Sequence, residues 1–460
     1  MRAWDPERVA AAAGARLATA VRVGAGGATP AGPPGPGRVV IDSRRLREGD
    51  LFVGLPGGRE HGGAHAGAAL AAGAWGVLVD PAHADALAAD DGTILVARDP
   101  LRALQRLARE WRRALGARVV AITGSTGKTS TKDILAALLR PHRRTVASPE
   151  NLNTEIGLPL VILDAPPGTE ALVLEMGMRG PGQIAELAAI AEPDVGVIVS
   201  IGPVHLELLG SIEAIAAAKA ELLDGLSPGA TAVVPAGERR LDPHRRPDLR
   251  TVTFGAGGDV SLDEGPDGHG LVRIGMKGEP SITLVPSFSQ PHQLNNLLAA
   301  VAAARALGIV PEGRLEVAFS AGRGERIELA SGVTLLNDCY NANPMSMRAA
   351  LDELARTAPG RRVAVLGDML ELGPDELDYH REIGAHAARR GVDVLVTVGP
   401  RAAAMGERFP GETHRLDDRE TAAAVVPGLL RPGDTVLVKA SLGVGLASVA
   451  EALVASGGAP

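Results

Sequence analysis

Short β-branched and aliphatic runs along this chain alternate with stretches whose apolar residues return at three- and four-residue spacing. That switch between a period of two and a period of 3.6 predicts an α/β protein. Over 1–115 the pattern gives a short N-terminal helix, a Gly/Pro-rich loop at 24–37, strands at 39–43, 51–55, 76–79 and 94–97, and helices at 64–72 and 100–115. Over 116–322 a strand through Val119, Val120 and Ile122 leads by a glycine loop into a helix with Ile134, Leu135, Leu138 and Leu139 on one face. Strands follow at 171–174 and 195–200, then a helix capped by Ser211. Short strands and turns over 230–286 read as an edge elaboration, and a long Ala/Leu helix runs from Pro291 to about 307. Over 323–460, strands at 333–336, 362–366, 394–398 and 435–438 alternate with helices at 345–355, 376–390 and 444–455, the pattern of a Rossmann-like parallel sheet. Three α/β units are therefore expected, 1–115, 116–322 and 323–460.

Composition narrows the classes. A length of 460 residues suits about three domains. A net charge of −7 offers no polybasic footprint, and 2% aromatic residues leave little to stack on bases, so a nucleic-acid partner is disfavoured. The single cysteine, Cys339, excludes an internal disulfide framework and fits a reducing compartment. Acidic residues among the basic ones at the N-terminus argue against a signal peptide, and no apolar run approaches the length of a membrane helix. A cytoplasmic protein, without membrane insertion and monomeric, is expected.

The chemistry centres on RVVAITGSTGKTSTK, 118–132. Strand, Gly124-Ser125-Thr126-Gly127 loop and a helix opening at Lys128-Thr129-Ser130 is the geometry that turns backbone N–H groups toward a phosphate. Lys128 can then reach the β/γ-phosphates and the Thr129 hydroxyl can bind Mg²⁺, although Ile122 stands where the common loop has its first glycine. Glu175 leaves its strand at the carboxyl end, the ligand edge of an open α/β sheet, and is a candidate Mg²⁺ ligand. The loop at 148–157 is dense in amides and hydroxyls. His205 follows the 195–200 strand and reads either as a ligand or as a structural hydrogen-bonder. Lys219 lies within the apolar stripe of Ile212, Ile215 and Leu222, so it either snorkels to the rim or is desolvated into a nucleophilic amine. Gln293 and Asn296, three apart on one helical face, either read a base edge or cap the helix. Ser43 and Arg44 could hold a phosphate or form a solvated turn. No G-x-G-x-x-G follows any strand of the last unit, which weighs against a dinucleotide oxidoreductase. No Ser/His/Asp arrangement or reactive cysteine calls for a covalent enzyme intermediate.

In order and over essentially the whole chain, these motifs resemble the Mur ligases, ATP-dependent amide ligases that build the peptidoglycan precursor. NDCYNANPMS at 337–346 and LGDMLELG at 366–373 resemble the member that adds D-alanyl-D-alanine to UDP-N-acetylmuramoyl-tripeptide. The resemblance implies an N-terminal domain for the UDP end of that substrate, a central P-loop-type ATPase domain and a C-terminal domain that closes on both. It implies that Gly124 to Ser130 hold the ATP phosphates, and that Thr129, Glu175 and His205 stand at two Mg²⁺ sites. It also implies that Lys219 takes up CO₂ as a carbamate, turning an ammonium into an anionic metal ligand. Gln293 and Asn296 would contact adenine, and Arg323 and Asp338 would reach the nucleotide from the C-terminal side. Asn151 and Thr154 would approach the muramoyl peptide, Asn341 and Asn343 the incoming amine, and Ser43 and Arg44 the uridine diphosphate.

Three positions depart from the family pattern: His292-Gln293 where His-Asn is usual, Lys439-Ala440-Ser441-Leu442 where Lys-Gly-Ser-Arg is frequent, and Glu60-His61-Gly62-Gly63 where Asp-Gly-His is common. The implied reaction activates a carboxylate as an acyl phosphate, which the amine then attacks. Two rivals stand beside it: a sister Mur-type or folylpolyglutamate-type ligase adding another amino acid, and a P-loop switch whose hydrolysis drives partner binding.

Overall fold

The computed structural model describes residues 1, 3–19, 35–87, 92–149 and 151–457, so most of the expected 24–37 loop lies outside the described residues. Three sheets follow one another along the chain, with five, ten and six strands.

In the first sheet, Thr93–Val96, Gly76–Val79, Leu51–Val53 and Val39–Val40 pair in parallel, and Arg16–Thr19 adds an antiparallel edge. The strand expected at 39–43 stops at Val40 because the Asp42 carboxylate accepts the Arg44 N–H and caps a 3₁₀ turn, Ser43–Arg45. Helix Pro100–Leu115 joins this unit to the next. Its stripe of Ala103, Leu104, Leu107, Ala108 and Trp111 is buried, the amphipathic spacing of a helix packed on one side. Trp111 meets Trp4 edge-on at 5.2 Å and donates through Nε1 to the Ala165 carbonyl at 3.0 Å. One apolar core runs without a break from Val9 through this helix to Leu172 and Leu222. The first two units are thus packed as one body.

The central sheet places Arg118–Thr123 between Ala171–Glu175 and Val195–Ile198, all parallel. Val119 and Ala121 enter the core on one face, Val120 and Ile122 that on the other, as alternation requires in a strand covered on both sides. The expected edge elaboration continues the same sheet through Thr231–Pro235 and Arg250–Phe254 into an antiparallel meander, Val260–Glu264, Val272–Met276 and Glu279–Pro286. Helices Gly157–Asp164 and Gln183–Ala191 were not foreseen.

The third sheet runs Glu325–Glu328, Thr334–Asn337, Thr435–Lys439, Arg362–Gly367, Val394–Val398, Glu412–Leu416. It is parallel as expected except for Glu325–Glu328, which forms an antiparallel pair with Thr334–Asn337. Among the described residues, no helix is long and apolar enough to cross a membrane.

Candidate active site

The carboxyl ends of the second and third sheets face a common cavity of about 1170 Å³. On the central side its floor is the Gly124–Ser130 loop. Gly127 sits at φ +79°, and a Cβ there would lie 2.5 Å from Asn296 Oδ1 and 2.9 Å from Val199 Cγ1, so the bend requires glycine. The loop is braced from behind by the end of the neighbouring strand. Ser125 N–H donates to the Ser200 carbonyl at 2.9 Å, Thr126 N–H to Ser200 Oγ at 2.8 Å, and Ser125 Oγ to the Gly202 carbonyl at 3.0 Å. Helix Lys128–Leu139 starts at Gly127 without a side-chain cap. Its first N–H groups therefore face the cavity rather than a capping oxygen, which suits an anion. Lys128 curls back so that Nζ donates to the Gly124 carbonyl at 2.9 Å. Burial pushes its pKa down, Glu175 opposes that shift, and Arg323 adds to it.

Glu175 is buried to 2% exposure. Its Oε2 accepts from Thr129 Oγ1 at 2.8 Å and its Oε1 from Asn153 Nδ2 at 2.9 Å. A hydroxyl and a carboxylate held this close are the hard oxygen donors that suit Mg²⁺. Lys219 lines the same cavity at 2% exposure. Among the described residues no hydrogen bond or ion pair reaches its ammonium, so the snorkelling alternative fails. Burial, reinforced by Lys128, pushes its pKa well below the usual lysine value, which favours a neutral amine. His205 lies at φ +54°, with Nδ1 on the Glu371 carboxylate from the third sheet's side. Burial pushes its pKa down more than Glu371 raises it.

Gln293 and Asn296 are buried against the start of helix Lys128–Leu139. Gln293 Nε2 donates to Ser130 Oγ at 3.3 Å, and Asn296 Nδ2 donates to Gln293 Oε1 at 3.0 Å. Neither caps its own helix, Pro291–Ala306, which removes the capping alternative. From the third unit, the Arg323 guanidinium lies 3.9 Å from the Tyr340 ring centroid, and its buried Nε has no hydrogen-bond partner among the described residues. Lys439, 2% exposed, donates to Asp338 Oδ2 at 2.6 Å and to the Asn341 carbonyl at 2.9 Å. Asn343 caps helix Pro344–Thr357 in a reciprocal pair with Ser346, and Asn341 Oδ1 accepts from Ala342 N–H at 2.8 Å. Both line the cavity while holding local backbone. Asn151 and Thr154 also line it.

Ser43 and Arg44 are not brought to this cavity. Arg44 points to solvent, 88% exposed, and pairs with Asp42 through Nε at 2.9 Å and Nη2 at 2.8 Å. Another cluster in that unit, His61, Asp80 and His83, has the spacing of a metal centre. Gly63 N–H donates to His61 Nδ1 at 3.1 Å, however, so in the neutral ring Nε2 carries the proton and faces Asp80 as a donor rather than a ligand. Three partners of site residues were missed in the sequence reading of the site: Asn153 on Glu175, Glu371 on His205 and Lys439 on Asp338. All three lay inside stretches already singled out, but nothing in a linear pattern says which side chain turns inward.

The Mur ligase middle domain matches residues 122–304, and the Mur ligase, glutamate ligase domain matches 322–442. The chain is 34% identical to the UDP-N-acetylmuramoyl-tripeptide–D-alanyl-D-alanine ligase of Bacillus subtilis, over 91% of this chain and 93% of that protein. Its fold is similar to a crystal structure of MurF from Acinetobacter baumannii (TM-score 0.85, 26% identity, 98% and 99% of the two chains). It is also similar to the MurF ligase of Thermotoga maritima in complex with ADP (TM-score 0.79, 32% identity, 90% and 96% covered).

Proposed function

The chain belongs to the Mur ligase family, and from that premise we propose that it joins D-alanyl-D-alanine to UDP-N-acetylmuramoyl-tripeptide at the expense of ATP, in peptidoglycan precursor synthesis. One observation carries the reading. The phosphate loop and the Asp338–Asn343 loop, which lie on different sheets, line one cavity, so a nucleotide and an amine can be held against the same acceptor carboxylate.

In this reading Lys128 and the N–H groups of 125–130 hold the β- and γ-phosphates, with Arg323 and Asp338 on the opposite side and Gln293 and Asn296 toward the adenine. Thr129 and Glu175 hold one Mg²⁺. His205 and Lys219 serve a second, for which Lys219 must first become a carbamate; its neutral amine is the form that attacks CO₂. Magnesium supplies charge neutralisation on the phosphoryl oxygens. The acceptor carboxylate attacks the γ-phosphorus, the bond to the β-phosphate oxygen breaks, and ADP leaves. The dipeptide amine, near Asn341 and Asn343, then attacks the acyl carbon. Phosphate departs with the carboxylate oxygen, and the amine loses a proton. Asn151 and Thr154 would face the peptide, and Ser43 and Arg44 the uridine diphosphate. The division at 115/116 and 322/323, a cytoplasmic location and a monomeric state belong to the same proposal.

The test is product formation with each substrate omitted in turn. Phosphate release and a mass matching the pentapeptide precursor are expected only when ATP, the UDP-tripeptide and D-alanyl-D-alanine are present together. Product with a different amine and acceptor would replace this reading with a sister ligase. Hydrolysis that needs neither would replace it with a switch.

A further inference from the structure

Glu371 belongs to the third unit but makes its contacts with the second. Its Oε2 meets His205 Nδ1, its Oε1 lies 3.9 Å from Arg179 Nε, and its carbonyl accepts the Glu207 N–H at 3.3 Å. Two residues on, Gly373 at φ +73° comes so close that a Cβ would sit 3.3 Å from Glu207 N. Only three described non-glycine residues have positive φ, and two of them, His205 at +54° and Glu371 at +63°, face each other across this junction. Such conformations persist where surrounding contacts hold them, and they gather at working sites. His205 Nε2 has no hydrogen-bond partner among the described residues, whereas Nδ1 has the carboxylate, an acceptor only. The carboxylate therefore keeps the proton on Nδ1 and leaves the Nε2 lone pair free.

We propose that Glu371 is a positioning residue: docking of the third unit delivers its carboxylate to His205 Nδ1 and fixes the ring with Nε2 available as a ligand. The site is thereby completed only when the two units are together. This rests on the metal-side role given to His205 above. It assigns Glu371 a task distinct from substrate contact.

The test uses the full chain, labelled with ¹⁵N-histidine, with the His205 signal identified by its loss in His205→Ala. Without metal or nucleotide, the unaltered chain should show the Nδ1–H form of His205, and Glu371→Ala should move it toward the Nε2–H form. The Mg²⁺ concentration giving half-maximal phosphate release should rise by about 10–100-fold in Glu371→Ala. Glu371→Gln, whose amide oxygen still accepts from Nδ1, should recover much of both. Either readout unchanged in a folded Glu371→Ala overturns the proposal. Should that variant not fold, Glu371→Asp, whose shorter carboxylate draws back from Nδ1, is read in the same way. The ring signal needs no turnover, so it still judges Glu371 if the chain proves to use other substrates. Failure of the ligase reading would show separately, as no product from the unaltered chain.

Discussion

Two polar turns in this molecule carry the residue types that bind phosphate, and they are built in opposite ways. The Gly124–Ser130 loop is half-buried, braced by Ser200 and Gly202, and backed by Glu175 and Asn296. The Ser43–Arg45 turn is exposed, and its arginine pairs with a carboxylate two residues away. In the first, low dielectric magnifies every charge, and the groups are set before a ligand arrives. In the second, water screens the pair and the side chain must be reordered on binding. The loop is therefore suited to stabilising charge that develops during reaction. The turn is suited, at most, to holding a substrate that is already charged.

The sharpest way to break this contrast is Lys128→Ala. Turnover should fall by about 10²–10³-fold in a folded protein, and near-normal phosphate release in the presence of both substrates would remove the loop from the reaction. Next is Lys219→Ala, expected to lower activity by about 10–100-fold and to be partly restored by a short carboxylic acid in the medium. Full activity of that variant in CO₂-depleted buffer would exclude the carbamate. The smallest effect belongs to Arg44→Ala. It should raise KM for the UDP substrate by less than about fivefold, the reach of one exposed ion pair, leaving kcat and the melting temperature where they were. A fall in kcat comparable to that of Lys128→Ala would erase the distinction between the two turns.

Much of this plan was legible in the chain because strands buried on both faces are written as near-continuous apolar runs. Val394–Val398 ran to its expected ends for that reason, and Thr435–Lys439 to within one residue. Glu175 could be placed because it stands at the end of such a run. Lys219 was legible as an anomaly, a cation inside an apolar stripe, but only packing could say that it is buried. Several edge strands were lost, although Val39–Val40 was foreseen. Arg16–Thr19 and Glu412–Leu416 are half exposed and carry too few apolar residues to stand out. Choosing Asn153 over Asn151 as the partner of Glu175 depends on the path of one loop. Glu371 meets His205 across 166 residues of sequence, and Lys439 meets Asp338 across 101. The first pairing is set by how two sheets dock and the second by which strands lie side by side within one sheet, and no local period encodes either.

In the proposed reaction the cavity between the second and third sheets passes a phosphoryl group from ATP to a carboxylate before an amine displaces it. The most direct measurement uses UDP-N-acetylmuramoyl-tripeptide labelled with ¹⁸O in its acceptor carboxylate, with ATP and D-alanyl-D-alanine, and weighs the phosphate released. One ¹⁸O atom in that phosphate for each amide formed is the expected result, because the oxygen that attacks phosphorus leaves with it. Amide formed with unlabelled phosphate would exclude the acyl phosphate.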